Sequence, residues 1–332
     1  MLWLAGLAAS FQCYWMVMTN VVIRNFWDPA YAGKYEGLKA CMKQYPGRPL
    51  WVVLGTSRVE FGLQPEALAE RMADRSAPLI YNFGLGGAGI FRQFIYLRRL
   101  LADGVKPAVA GIEVFNADLN EPLLRPADFA DSQVHARWNE LDEYAAYSND
   151  PAGFLAHWRQ SRLDPAYQFG MRMPQQTLRW RLIPLPWTWR MERPPYDKWG
   201  WITTEFTAPG NDYQTNFQIA KNGYQKDFTN YQILPKTDQI LRRMLELCRG
   251  EGIGVFLLKM PEAEDFRALH VGRPDAVLAA YLAEIQEKYH VPLVDASLWV
   301  GREGFFDGHH MNRTGGPEFT RRLAGVLTGL KL

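Results

Sequence analysis

Cysteine is nearly missing from this chain. Three occur in 332 residues, Cys13, Cys41 and Cys248, and none stands at metal-ligand spacing. A disulfide scaffold and a cysteine-built metal site are both excluded as organising principles. With Cys13 inside an apolar segment, Cys41 to Cys248 is the one pairing left, and its spacing gives it no support. An excess of one charge is also missing. Lys plus Arg number 37 against 35 Asp plus Glu, a net charge of +2, and no block of like charge occurs. Nothing therefore points to nucleic acid. Internal repeats are absent, and although Gly84, Gly86 and Gly89 have G-x-G-x-x-G spacing, no acidic residue sits well placed downstream to complete the dinucleotide fingerprint.

What is present is apolar. At 48% hydrophobic residues, the chain can bury one large domain with an insertion, or two smaller ones. The 22 residues from Leu2 to Ile23 carry no charge, and their polar members are few: Ser10, Gln12, Thr19 and Asn20. As a helix, that length crosses a bilayer. Arg24, Lys34 and Lys43 follow it and no basic residue precedes it. The positive-inside rule therefore does not orient it. The expectation is an uncleaved membrane anchor over residues 1–24. A cleaved signal peptide and a buried core helix are the alternatives, but a signal core is usually shorter and no small-residue cleavage site stands out.

Five short apolar runs read as strands: Leu50–Leu54, Leu79–Phe83, Ala108–Val114, Gly254–Leu258 and Pro292–Val294. Helical spacing separates them, over Pro65–Ala73, Ile90–Ala102, Lys236–Arg249, Asp275–Tyr289 and Gly316–Leu327. Alternation of this kind predicts an α/β fold: a parallel sheet of about five strands between two helical layers, a flavodoxin-like count. Residues 120–234 break the alternation. They hold seven of the 12 tryptophans (Trp138, Trp158, Trp180, Trp187, Trp189, Trp199, Trp201), and Pro184, Pro186, Pro194 and Pro195 rule out long helix there. The segment reads as an aromatic insertion over the carboxyl edge of the sheet, helical over Asp150–Ser161 and Pro174–Leu182. Residues 25–119 and 235–332 then form the two parts of the sheet domain.

Chemistry concentrates at strand ends. Gly55-Thr56-Ser57-Arg58 puts a hydroxyl where the first strand turns into a helix, just beyond the carboxyl end of a parallel strand. Ser57 there is a nucleophile whose own N–H, with the helix dipole, stabilises an oxyanion, or else it is a helix cap. Tyr81-Asn82-Phe83-Gly84-Leu85-Gly86-Gly87-Ala88-Gly89 exposes backbone N–H groups after the second strand. It reads as a source of a further oxyanion donor, with a phosphate loop as the alternative. Asn116, after the third strand, is a side-chain oxyanion donor or an ordinary turn asparagine. Asp307-Gly308-His309-His310 follows the fifth strand. Asp307 fixes the tautomer of His310, whose Nε2 then faces the serine as general base. His309 competes for that role, and the Asp-His-His cluster has a metal reading that lacks a further partner. No cofactor is expected.

These blocks together resemble the SGNH (GDSL-like) hydrolase superfamily, over about residues 49–116 and 253–328. The resemblance rests on Gly55, Ser57, Arg58 and Gly62-Leu63-Gln64-Pro65, on Asn82 and its glycines, on Asn116, and on Asp307 and His310. It implies a three-layer flavodoxin-like domain that cleaves or transfers acyl esters. Ser57, Asp307 and His310 would be catalytic, and the amides of Ser57 and Gly87, with Asn116, would hold the oxyanion. Gly84 and Gly86 stand close behind Gly87 as donors. Thr56 stands where the family usually has aspartate, and the third block lacks its Gly-x-Asn-Asp form. The first block looks most like the membrane-anchored branch that works beside membrane-bound O-acyltransferases on envelope polymers. That implies a polysaccharide substrate and an extracytoplasmic placement. Arg58, Gly84, Gly86, Trp199 and Trp201 are the expected substrate contacts. Trp187, Trp189, Trp199 and Trp201 also fit a hydrophobic subdomain core or a bilayer interface. A water-accepting esterase or lipase, and a non-catalytic polysaccharide-binding or scaffold protein, are the rival readings.

Overall fold

A computed structural model describes residues 2–17, 28–71, 77–120, 135–163, 196–202 and 212–330. The chain divides into two compact units: Met1–Gly33 with Leu124–Pro194, and Lys34–Leu123 with Pro195–Leu332.

In the first unit, α1 spans Leu2–Val17. At 16 residues it is about 24 Å long, against the ~30 Å of a bilayer core. No helix among the described residues is long and apolar enough to cross a membrane. Of the expected span, α1 covers Leu2–Val17, and residues 18–23 lie outside the described residues. Trp3, Leu7, Phe11, Tyr14 and Val17 are exposed along α1. Helix α2 (Pro29–Gln44) begins in this unit and continues into the second. Two further helices pair here, Leu141–Tyr147 and Pro151–Leu163. Their facing rings, Tyr144 and Phe154, stack 5.5 Å apart at 5°. The second of these matches the expected Asp150–Ser161 helix. Pro174–Leu182, Trp180, Trp187 and Trp189 lie outside the described residues.

The second unit is built on one sheet. Its strands are β1 (Leu50–Gly55), β2 (Leu79–Gly84), β3 (Val109–Glu113), β4 (Gly254–Lys259) and β5 (Leu293–Asp295). They pair in parallel in the order β2-β1-β3-β4-β5, the flavodoxin-like order. β1 to β3 are buried along almost their whole length, as a parallel sheet covered on both faces requires. All five lie within a residue or two of the apolar runs.

Helices cover both faces. Ser57–Gly62 is α3, Pro65–Arg71 is α4, Ile90–Ala102 is α5 and Asn116–Asn120 is α6. With the Leu141–Tyr147 and Pro151–Leu163 pair as α7 and α8, the remaining helices are α9 (Tyr213–Phe228), α10 (Pro235–Glu251), α11 (Glu264–Arg267), α12 (Arg273–Tyr289) and α13 (Gly315–Leu327). Helix α13 turns Phe319, Leu323 and Leu327, at i, i+4 and i+8, into a core with Val53, Phe256, Leu258 and Val294. Each such side chain contributes about 1.5–3 kcal/mol by leaving water. A second cluster joins Phe217, Ala220 and Phe228 of α9 to Phe115 and Phe266. The sequence pattern alone assigns α9 and residues 196–202 to the insertion. In the structure they pack within the sheet unit.

Candidate active site

The strand order reverses between β1 and β3, and open α/β sheets bind ligands outside the carboxyl ends of the strands at that point. Ser57 sits there. It opens α3, but Thr56 is the cap: Thr56 Oγ1 accepts from Arg58 N–H at 3.1 Å. The cap alternative for Ser57 is thereby taken by its neighbour. The Ser57 hydroxyl instead meets His310 Nε2 at 2.7 Å. His310 Nδ1 meets Asp307 Oδ2 at 2.8 Å. The residues that open and close the sheet domain, 253 positions apart, form one hydrogen-bonded relay.

The turn that carries Asp307 and His310 is locally determined. Asp307 Oδ1 accepts the backbone N–H groups of His309 and His310 at 3.1 and 2.9 Å. Gly308 holds φ +94°, which a residue with a Cβ adopts only with strain. Burial works to raise the Asp307 pKa. The charge and hydrogen bond of His310, with the His309 ring alongside, outweigh it and hold the carboxyl well below the usual carboxylate range. Asp307 is therefore the fixed anion that a charged His310 needs.

His309 is placed differently. Its ring is caged by Phe266 (stacked, centroids 4.8 Å), Tyr224 (edge-on, 5.0 Å) and His310 itself (3.9 Å). Its Nδ1 lies 3.1 Å from Asp307 Oδ1 without hydrogen-bond alignment. Burial, then the adjacent His310 charge, push its pKa down to about 4. A neutral, enclosed imidazole leaves the base position to His310. Asp307, His309 and His310 also bring metal-ligating atoms within 4.8 Å of one another. Asp307 already spends both oxygens on the hydrogen bonds of the relay.

The glycine loop leaves the sheet after β2, beside the end of β1 that leads to Ser57. Gly84 pairs with Gly55, and Leu85 N–H donates to Gly55 O at 2.9 Å. Gly86 and Gly87 are exposed, and Gly87 holds φ +67°. No hydrogen bond among the described residues uses the backbone N–H of Ser57, Gly86 or Gly87. A Cβ on Gly84, by contrast, would lie 2.5 Å from Glu60 N. Gly84 is there to let α3 approach β2, not to touch substrate.

Three other expected contacts are corrected. Arg58 is 2% exposed: its guanidinium bonds Glu262 Oε1 at 2.9 Å and the carbonyls of Met260 and Pro261, and lies 4.2 Å over the Phe115 ring. Trp199 is 3% exposed and stacks on Tyr45 at 5.2 Å. Neither presents a face to a ligand. Asn116 is buried and its Nδ2 donates to Asp275 Oδ1 at 3.1 Å beside His270, so that amide serves a different cluster from the oxyanion. Trp201 remains half-buried, and its Nε1–H donates to Phe61 O at 2.8 Å. Phe61 meets the His310 ring edge-on at 5.6 Å.

Pattern reading missed the buried acids around the serine. Glu113 Oε2 accepts the Thr56 N–H at 2.6 Å. Burial raises the Glu113 pKa, with Arg58 opposing. Glu262 and His270 bond at 2.9 Å. One signal was legible: Glu113 is a charge closing an otherwise apolar strand.

No family model matches the sequence, and no curated protein matches it. Among solved structures, the crystal structure of TesA is 14% identical over 85% of this chain and 99% of its own, with a TM-score of 0.41. A putative acylhydrolase from Bacteroides fragilis is 11% identical, covering 88% and 96%, with a TM-score of 0.37. LAE5, an alpha/beta hydrolase enzyme from the metagenome of Lake Arreo, Spain, is 12% identical, covering 87% and 99%, with a TM-score of 0.38.

Proposed function

We propose that this protein is a serine-dependent acyl esterase or O-acyltransferase. The observation that carries the reading is the relay from Ser57 Oγ through His310 Nε2 and Nδ1 to Asp307, at 2.7 and 2.8 Å. His310 takes the Ser57 proton as Oγ attacks the ester carbonyl. The tetrahedral oxyanion lies against the N–H groups of Ser57 and Gly87. As the oxyanion collapses, the alkoxy group leaves with the proton from His310, and acyl-Ser57 remains. An acceptor hydroxyl gives its proton to His310, attacks the acyl carbonyl and regenerates Ser57. Water as acceptor makes the protein an esterase; a sugar hydroxyl makes it a transferase.

The transferase form, with an exported or envelope polysaccharide as acceptor, is supported by the likeness of the Gly55–Pro65 block to the anchored SGNH branch. Membrane attachment is supported by the uncharged run Leu2–Ile23 and by the exposed apolar side chains of α1. On this reading the catalytic domain is extracytoplasmic, beside a membrane-bound O-acyltransferase.

The test is intact-protein mass after a fluorophosphonate probe. Wild type gains one adduct and Ser57→Ala gains none. Equal labelling of the two would sink the proposal. Product analysis with an acyl ester and a saccharide then separates hydrolysis from transfer.

A further inference from the structure

The nucleophile sits at the start of a helix of only six residues. So short a helix does not hold its own geometry. The general base stands on a different loop, beyond β5. Something else has to fix the 2.7 Å between them.

The residues on both sides of Ser57 are anchored to buried carboxylates. Before it, Thr56 N–H is held by Glu113 at the end of β3. After it, Arg58 is held by Glu262, beyond the end of β4. Glu262 is itself fixed through both oxygens, Oε1 to Arg58 and Oε2 to His270 Nε2. His270 Nδ1 is held by Asp275 Oδ1 at 2.7 Å, and Asn116 bonds the same oxygen. The next residue along, Ala263, donates its N–H to Gly308 O at 2.8 Å, inside the turn that carries Asp307 and His310. The stretch Met260–Ala263 therefore grips the serine side through Arg58 and the histidine side through Gly308.

Burying this many charges wins little stability, because desolvation offsets the attraction. What a network of buried hydrogen bonds and ion pairs supplies is position, although Arg58 Nε and Glu113 Oε1, 3.7 Å apart, make no hydrogen bond here. We propose that Arg58, clamped by Glu262 and backed by His270, is a positioning residue that sets Ser57 Oγ against His310 through the Met260–Ala263 bridge. The inference rests on the serine-esterase reading and deepens it.

Two variants test it: Arg58→Lys, which loses the planar fork, and Glu262→Gln, which keeps shape and loses charge. The readouts are the second-order rate of fluorophosphonate labelling and the kcat and KM for p-nitrophenyl acetate. Each is measured on protein shown to be folded by near-ultraviolet circular dichroism. Labelling rate and kcat should fall about 10- to 100-fold, as for a displacement near 1 Å, with KM within about threefold. If Arg58→Lys does not fold, Glu262→Gln and Glu113→Gln carry the same expectation. Folded variants that label within threefold of wild type would overturn the proposal and leave the network a purely structural role. Wild type that fails to label would remove the esterase reading and this inference with it. Wild type that labels while the folded variants match it removes the inference alone.

Discussion

Replacing Asp307 by Asn tests the relay at its least replaceable point. Asp307 Oδ1 accepts two backbone N–H groups, from His309 and His310. An asparagine must keep its carbonyl oxygen there, because an amide nitrogen would face two donors. Its NH2 then takes the Oδ2 position, 2.8 Å from His310 Nδ1. That NH2 donates, so Nδ1 has to accept, and the ring proton moves to Nε2. A protonated Nε2 donates to Ser57 Oγ instead of taking its proton. The imidazolium of the transition state also loses its counter-charge. Loss of the correct tautomer in a triad of this kind costs ~10⁴ in kcat, equivalent to about 5.5 kcal/mol of barrier. The backbone bonds survive, so the fold should too. The assay pairs fluorophosphonate labelling with ester turnover on folded Asp307→Asn. Labelling within about tenfold of wild type would refute the tautomer argument.

Three further outcomes follow from the burial of His270 and the packing of the glycine loop. Burial works to lower the His270 pKa, but Asp275 and Glu262 together raise it to about 9 from 6.5. A pKa raised on folding contributes stability that is complete below the unfolded value and is lost as pH rises through the folded one. Stability should therefore decline between roughly pH 6.5 and 9 by up to about 3 kcal/mol. Urea midpoints should show that decline in wild type, and His270→Gln should flatten it; an equally steep variant counts against the assignment. Gly84→Ala forces a Cβ to 2.5 Å from Glu60 N and should cost about 1–3 kcal/mol by thermal unfolding. Gly86→Ala, whose nearest neighbour would be 3.7 Å away, should stay within about 0.5 kcal/mol.

The strands were legible because a parallel strand covered on both faces must be largely apolar, and Leu50–Gly55 and Leu79–Gly84, apart from Asn82, are. Ser57, Asp307 and His310 were legible because their chemistry needs those residue types at strand ends, whatever fills the rest. The Arg58–Glu262 pair was not. Its members stand 204 positions apart and are joined only by the alignment of β1, β3 and β4. Arg58 in sequence is an arginine beside a nucleophile, which suggests a substrate contact. Its burial over Phe115 is a tertiary fact. Trp199 misled in the same way. A tryptophan in a proline-rich stretch has no periodicity to say which way it faces, and Tyr45 decides it. Asn116 carried a turn signal, but its amide is taken by Asp275, 159 positions away.

The stretch Tyr196–Ile202 has a consequence for solubility. β2 is an edge strand. An edge offers unpaired N–H and C=O groups to any passing chain, and a second copy could add a strand there. Here Asn82 N–H donates to Trp199 O at 3.0 Å. Asn82 O accepts from the buried Lys34 Nζ at 3.1 Å, and Gly84 N–H is taken by the Asn82 side chain. The opposite edge, β5, is three residues long. One border of the sheet is covered at Asn82 and Gly84 and the other is only three residues long, too brief to template a partner. A truncation that removed residues 196–202 along with the rest of the insertion would free the Asn82 N–H, lengthen the open stretch of that edge and invite strand-by-strand pairing.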